Sequence, residues 1–436
     1  MRFDRPVLLY GAGREARSTR AFLKARAPDL EIFVTVDSGA ADIEDAIFIP
    51  PTELHAAVEA GRFGTIVKSP GVSRYRPIFL VAREAGIAVT SNLNLWGEYY
   101  RDGRTVIAIT GTKGKSTTAT LVHLMLTQSG LDAGLAGNVG LAPLEIADRH
   151  KLVVFELSSY QTADMAFSPD IAALTNLTPE HIDWHRDVDH YYADKLNLID
   201  RDTPFPVGLG PAARTNPLVM NAVRDPARLL PPLAPFIADR ITSTVGKSKL
   251  KGAHNLENAR LATQIALAAG AGLEGIVRGI NAFEPLPHRL EEHTIGGIVF
   301  VNDSISTTPE ATKAALAAYS GGRIALIAGG HERQQDYAEL ASLLAPRGVT
   351  TLVALPVTGD RLATATYAAA PQIEVIEAHT LRAGLEALAA RRDSFDTVIL
   401  SPGAPSYGQL ETDNVVFKDF EERGRAFVRL AAELFG

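Results

Sequence analysis

Along the chain, short runs of uninterrupted apolar residues alternate with longer segments whose apolar positions recur at helical spacing. Pro6-Val7-Leu8-Leu9-Tyr10 and residues 32–36 and 65–68 read as buried strands, and residues 77–85 as a helix. Thr105-Val106-Ile107-Ala108-Ile109, Leu152-Val153-Val154-Phe155 and residues 171–176 repeat the strand pattern. A third series follows, with strands at 297–301, 323–328, 351–355, 373–376 and 397–400 and helical segments at 308–319, 336–344 and 381–391. Strands that are apolar on both faces belong in parallel sheets covered by helices. The expected fold class is therefore α/β, with boundaries expected at residues 1–98, 99–284 and 285–436. Residues 200–244, which carry Pro204, Pro206, Pro211, Pro217, Pro231, Pro232 and Pro235, read as irregular and carry no assignable chemistry.

A chain of 436 residues is too long for one core. Its 46% hydrophobic and 21% charged content suits a soluble α/β enzyme, and its net charge of -7 argues against a nucleic-acid-binding surface. The absence of cysteine removes disulfides, thiolate metal sites and cysteine nucleophiles, and fits a reducing compartment. The charged stretch from Met1 to Pro6 runs straight into a strand, with no signal-peptide core and no long apolar span anywhere. A cytoplasmic location without membrane insertion is expected.

The chemistry concentrates at Ala108-Ile109-Thr110-Gly111-Thr112-Lys113-Gly114-Lys115-Ser116-Thr117-Thr118. A buried strand leads into a glycine-bracketed turn, and a long amphipathic segment runs from Ser116 to near Gln128. Backbone N–H groups of such a loop and of the helix's first turn face one concavity that a polyphosphate can fill. Gly111, Thr112, Lys113 and Gly114 would form the cradle. Lys115 would reach the β- and γ-phosphates, and a hydroxyl of Ser116 or Thr117 would join a Mg²⁺ shell. The general pattern G-x-x-x-x-G-K-[ST] has a glycine where Ile109 stands, so an ordinary Gly-rich turn is the bland alternative.

Gly11-Ala12-Gly13-Arg14-Glu15-Ala16 after the first strand is a G-x-G-x-x-A fingerprint, which by itself is as compatible with a structural turn as with a dinucleotide site. The strand 152–155 delivers Glu156 at its C-terminal end, with Ser158 and Ser159 behind it. The strand 171–176 delivers Asn176, Thr178, Glu180, His181 and Asp183. In an open parallel sheet that end is where ligands bind. Lys195 reads, on composition alone, as a solvated helix lysine.

The loop fits the variant T-G-T-x-G-K-[ST]-T. F-E-L-S-S-[FY]-Q and N-[LV]-T-x-x-H-x-D recur around Glu156 and His181, and the chain on these elements resembles the Mur ligases, ATP-dependent amide-bond formers of peptidoglycan precursor synthesis. The resemblance implies a Rossmann-like N-terminal domain, a central P-loop NTPase-like parallel sheet and a Rossmann-like C-terminal domain. It implies ATP and two Mg²⁺ sites, with Ser116, Glu156, His181 and Lys195 as metal-binding positions and Lys115, Glu156, His181 and Lys195 as catalytic ones. Tyr191-Tyr192-Ala193-Asp194-Lys195 matches the family's Y-x-x-A-K, whose lysine is carbamylated by CO₂. The segment Gly252-Ala253-His254-Asn255-Leu256-Glu257-Asn258-Ala259 places Asn258 near the adenine, although an asparagine at a helix start is equally a plain cap. Pro287-His288-Arg289-Leu290-Glu291 resembles the family's P-x-R-[FLM]-E hinge, which implies that His288 and Arg289 approach the nucleotide and that Asp303 faces its ribose. The UDP end of the acceptor is expected on Gly13, Arg14, Glu15, Asp37 and the turn Ser69-Pro70-Gly71, with Asn138, in the glycine-dense loop 134–140, and Ser159 toward the muramoyl part.

The last domain departs from the MurD-like, glutamate-adding branch. Asn302-Asp303-Ser304-Ile305-Ser306-Thr307 has Ile305 where that branch has lysine, and Gly329-Gly330-His331-Glu332-Arg333 offers Arg333, a bidentate donor, where a lysine holds the glutamate side chain. Ser401-Pro402-Gly403-Ala404-Pro405-Ser406 matches, residues 407–416 read as a longer loop, and Phe417 to Gly424 matches again. Thr307, Arg333, Ser406, Tyr407 and Phe420 are the expected glutamate-binding positions. The altered pocket resembles the branch that adds L-glutamate, in which a separate epimerase later inverts the new residue. D-glutamate addition, or another Mur or folylpolyglutamate-type ligation, is the alternative. The small-molecule partners implied are UDP-N-acetylmuramoyl-L-alanine and glutamate, the expected state is a monomer, and the hinge implies domain closure.

Overall fold

The computed structural model describes residues 3–37, 39–180, 182–285, 287–319, 322–332, 334–412 and 415–436. The chain divides into two compact units, Met1–Ser248 with His254–Phe283, and Lys249–Ala253 with Glu284–Gly436.

The first unit holds two five-stranded parallel sheets. One is built from β1 (Val7–Tyr10), β2 (Ile32–Thr35), β3 (Ile47–Phe48), β4 (Thr65–Lys68) and β5 (Ala88–Ser91), in the order β3-β2-β1-β4-β5. The other contains β6 (Thr105–Thr110), β7 (Ala133–Gly137), β8 (Leu152–Glu156), β9 (Ile171–Leu174) and β10 (Val207–Leu209), in the order β10-β9-β6-β8-β7. In each sheet the strand that runs into a Gly turn, β1 or β6, lies at the centre, and their apolar residues are buried on both faces. Helices start where a side chain supplies the missing acceptor: Ser91, Ser158 and Asp187 accept from the backbone N–H of Asn94, Gln161 and His190.

Residues 200–244 are not irregular, which corrects the reading of their prolines as breakers. They contain β10 and the helices Pro211–Arg214, Pro217–Val223 and Pro235–Lys247. Pro211, Pro217 and Pro235 each stand in the first turn, where no N–H is needed and the fixed φ suits the helix.

The second unit is a six-stranded sheet of β11 (Glu291–Ile295), β12 (Ile298–Asn302), β13 (Ile324–Gly330), β14 (Val349–Val357), β15 (Glu374–Glu377) and β16 (Thr397–Leu400), in the order β11-β12-β16-β13-β14-β15. It is parallel except for β11, which pairs antiparallel with β12 through the Gly296-Gly297 turn, both glycines at positive φ. The stretch expected to be a long loop carries a small antiparallel ribbon, β17 (Leu410–Thr412) with β18 (Val415–Val416).

Candidate active site

Register sets the site in the first unit. Ile109 pairs with Glu156 and Thr110 with Leu174, so the phosphate loop after β6, Glu156 at the end of β8 and the segment after β9 share one sheet edge. Gly111 has φ +144°, and a Cβ there would run into the Thr175 side chain. Gly114 has φ +83°, and its Cβ would lie 2.5 Å from Asn258 Oδ1. Both positions require glycine for conformation and for space. The helix Lys115–Gln128 starts immediately afterwards, and its first N–H groups have no intrahelical acceptor, which is the geometry of an anion site.

The loop's carbonyl groups are tied back. Lys195 Nζ donates to Gly111 O at 2.8 Å, Lys115 Nζ to Thr112 O at 2.8 Å, and Asn176 Nδ2 to Lys113 O at 3.0 Å. The Thr112 hydroxyl lies 2.8 Å from the Tyr191 hydroxyl, and Asn176 Oδ1 accepts from the N–H groups of Thr112 and Lys113 at 3.2 and 2.9 Å. Lys113 is exposed and pairs with Glu180 at 2.7 Å, Ser116 is half-buried and Thr117 is buried. Asn258 lies inside the helix Ala253–Ala268, against Gly114, and is not its cap.

Glu156 is fully buried, and among the described residues its carboxylate takes hydrogen bonds from the Asn138 side chain alone, at 3.2 and 3.5 Å. Lys195 is 2% exposed, and its amine is held well below the ordinary lysine value, first by burial and then by the Lys115 charge. His181 lies outside the described residues. Among those described, no group of three or more acidic or histidine side chains is arranged to hold a metal.

The edge of the first sheet adjoins this site. Gly11, at φ +108°, leaves no room for a Cβ against Ser69, whereas Gly13 faces open space. Arg14 reaches the carbonyls of Gly137 and Gly140 at 2.6 and 2.5 Å, so the helix after β1 is bonded to the loop that carries Asn138. Glu15 turns inward, accepts from Gln161 at 2.7 Å, and has its carboxyl pushed by burial up to about 7. Asp37 accepts from Tyr10 at 2.8 Å and Arg76 at 2.6 Å; Tyr10 is raised to about 12, by burial first and then by Asp37. Pro70 and Gly71 present their carbonyls to the Trp184 indole, 3.1 Å from each.

In the second unit Asp303 is buried at the end of β12, accepts from Ser306 at 2.5 Å and Ser401 at 2.8 Å, and is pushed by burial up to about 6. Arg289 lies close enough for its charge to act on it, and its buried Nε has no hydrogen-bond partner among the described residues. His288 sits at φ +64° and lies 2.9 Å from Asn302, with its imidazole pushed down by burial. Thr307 is half-buried, Ser406 is buried, Tyr407 is exposed against His331, and the Phe420 carbonyl accepts from Ser304 at 2.8 Å. Arg333 lies outside the described residues.

Several residues with no role in the sequence reading hold these loops. Fully buried His185 bridges Ser159 Oγ, at 2.9 Å, and Asp194, at 2.7 Å. Fully buried Arg423 bonds Ser304 Oγ at 2.9 Å, the Ser304 and Ala404 carbonyls at 2.8 and 3.3 Å, and Gln409 Oε1; burial pushes its guanidinium down to about 9. Gln409 in turn donates to Gly329 O at 2.7 Å. Arg423 stands inside a segment quoted above, but a chain pattern does not disclose burial.

Fold and site together define an α/β protein built around a nucleotide-phosphate loop with a buried carboxylate and a buried lysine beside it. Residues 109–205 match the Mur ligase middle domain, and residues 288–403 match the Mur ligase glutamate ligase domain. A UDP-N-acetylmuramoyl-L-alanine–L-glutamate ligase of Xanthomonas euvesicatoria pv. vesicatoria is 34% identical, over 98% of this chain and 94% of that protein. Its Micromonospora counterpart is 33% identical, over 99% and 97%. Among solved structures, the UDP-N-acetylmuramate-alanine ligase MurC of Thermotoga maritima superposes with a TM-score of 0.59 at 17% identity, over 97% of this chain and 98% of that one. MurF of Acinetobacter baumannii gives 0.59 at 16%, over 98% and 90%. The chain belongs to the Mur ligase family.

Proposed function

We propose that the protein joins glutamate, L-glutamate in preference to D-glutamate, to UDP-N-acetylmuramoyl-L-alanine at the expense of ATP, in peptidoglycan precursor synthesis in the cytoplasm. The observation that carries this reading is the sheet edge shared by the phosphate loop and Glu156, with the buried helix residue Lys195 bonded to that loop, in a chain whose relatives bear that activity's name. On this reading the domains are residues 1–98 for UDP, 99–284 for ATP and 285–436 for glutamate, and the protein works as a monomer. A separate epimerase then inverts the added residue.

The acceptor's carboxylate attacks the γ-phosphorus, ADP leaves, and the glutamate amine attacks the resulting acyl phosphate, losing a proton as phosphate departs. Lys115 and the first-turn N–H groups of its helix take up charge that develops on the phosphates. The cradle of Gly111 to Thr117 holds the polyphosphate, and Asn258 closes one side of Gly114. Fully buried Glu156, hydrogen-bonded among the described residues only by a neutral amide, fits a divalent cation, with Ser116 or Thr117 beside it. His181 and Lys195 would serve a second ion. Mg²⁺ there would neutralise phosphate charge. Burial and Lys115 favour the neutral Lys195 amine. That is the form able to bond CO₂ carbon, release a proton and become a carbamate, an anion suited to Mg²⁺. His288, Arg289 and Asp303 would meet the nucleoside, and Thr307, Arg333, Ser406, Tyr407 and Phe420 the glutamate.

The test is product mass: ATP, Mg²⁺, UDP-N-acetylmuramoyl-L-alanine and glutamate should yield a species heavier by one glutamyl residue. Lys115→Ala should lower its formation by roughly 10²–10³. No product with wild type, or full turnover with the variant at saturating ATP, refutes the assignment.

A further inference from the structure

Trp184 lies next to His185 in the segment after β9, yet its polar contacts go to the first sheet's edge. Its indole N–H is 3.1 Å from the carbonyl oxygens of both Pro70 and Gly71, and the Ser73 hydroxyl donates to the Trp184 carbonyl at 2.6 Å. The ring is held on its own side by Tyr160, stacked at 4.5 Å between centroids, and from the first sheet by Lys68 Nζ at the end of β4, 5.5 Å from its centre. Its neighbour His185 cannot swing, because both its ring nitrogens are bonded.

The consequence is a fixed peptide plane. No peptide bond in the described chain is cis, so the C=O of Pro70 and the N–H of Gly71, which belong to one peptide group, point in opposite directions. With that C=O pinned on the indole, the Gly71 N–H is turned away from Trp184. Gly71 is exposed, and a Cβ on it would meet nothing within 4 Å. An amide donor turned away from the indole, on an exposed residue of an otherwise anchored turn, is suited to a phosphate oxygen.

We propose that Trp184 is a positioning residue for the acceptor substrate: its indole N–H orients the Ser69-Pro70-Gly71 turn so that the Gly71 amide meets the diphosphate of the UDP moiety. The inference rests on the reading that this turn binds UDP. A purely packing role for Trp184 would need its rings and not its N–H.

The experiment separates the two. Trp184→Phe keeps an aromatic ring and loses the donor. Replacement of Trp184 by benzothienylalanine keeps the indole outline and loses only the N–H, so it carries the test if the phenylalanine variant fails to fold. Binding of UDP-N-acetylmuramoyl-L-alanine and of ATP is measured by calorimetry, beside the thermal midpoint. Loss of this hydrogen bond should weaken UDP-substrate binding about fivefold to tenfold. ATP binding should stay within about twofold in the same variants. Gly71→Pro removes the amide itself and should weaken the same substrate at least as much, and combining it with either Trp184 replacement should add nothing further. Unchanged binding in Gly71→Pro would sink the UDP reading. Weakened binding in Gly71→Pro with unchanged binding in the benzothienylalanine protein would leave that reading standing and overturn the role of Trp184, as would equal weakening of ATP.

Discussion

Single side chains here act through burial. Glu15 holds its proton to about 7 when folded, against an ordinary 4.5, because burial outweighs the Gln161 hydrogen bond. Protonation therefore favours the folded state between those values, and stability is lost as pH rises through the window. Glu15→Gln should remove that loss and melt higher than wild type above pH 8, by about 3 kcal/mol of stability. Below pH 4 the two should converge. Parallel melting curves across the range would show that the charged carboxylate is not destabilising. Lys195 shows the same physics with the opposite charge, since burial and Lys115 disfavour its ammonium form. Protein equilibrated with ¹³C-bicarbonate should show a carbamate carbon resonance that vanishes in Lys195→Ala, and a spectrum without it in wild type would remove the carbamate from the mechanism. Neither residue's state was legible in the sequence. Glu15 stood in a Gly fingerprint, and Lys195 was distinguished only by family resemblance, because burial is a property of the folded chain.

At the scale of elements, the glycines sort into those required by the backbone and those that leave space. Gly111, at positive φ and against Thr175, cannot take a side chain; Gly13 caps its helix at φ -78° with nothing within 4 Å. Gly111→Ala should lower the thermal midpoint and weaken ATP binding about tenfold or more, since a strained φ and a steric clash each cost of order 1–3 kcal/mol. Gly13→Ala should leave the midpoint where it is and weaken only the UDP substrate. Equal midpoints for both variants would contradict this division. The strand-turn-helix around Gly111 was legible because an apolar run, two glycines and Lys-Ser carry independent signals. The helices led by Pro211, Pro217 and Pro235 were not, because a proline in the first turn looks the same in a sequence as one that ends a helix. β11 was missed because Glu291, Glu292, His293 and Thr294 form a sheet-edge strand whose half-exposed residues give no apolar run. The ribbon of β17 and β18 was missed for the same reason.

For the whole molecule, the three-sheet α/β architecture followed from repeated apolar strands and helical segments, and the family shares it over nearly the full chain. The proposed glutamate site was the hardest part to read. Ile305 and Arg333 depart from the pattern used to expect it, and the buried Arg423–Gln409 tie, which continues to the Gly329 carbonyl, has no sequence periodicity to announce it. The measurement that tests the central claim most directly is ADP release from ATP with UDP-N-acetylmuramoyl-L-alanine, with L-glutamate in one reaction and D-glutamate in the other, beside controls lacking the acceptor or the amino acid. The account predicts sustained ADP release with L-glutamate, little with D-glutamate, and none sustained when either partner is omitted. Release supported only by D-glutamate would contradict the altered pocket, and release indifferent to both partners would contradict the ligase.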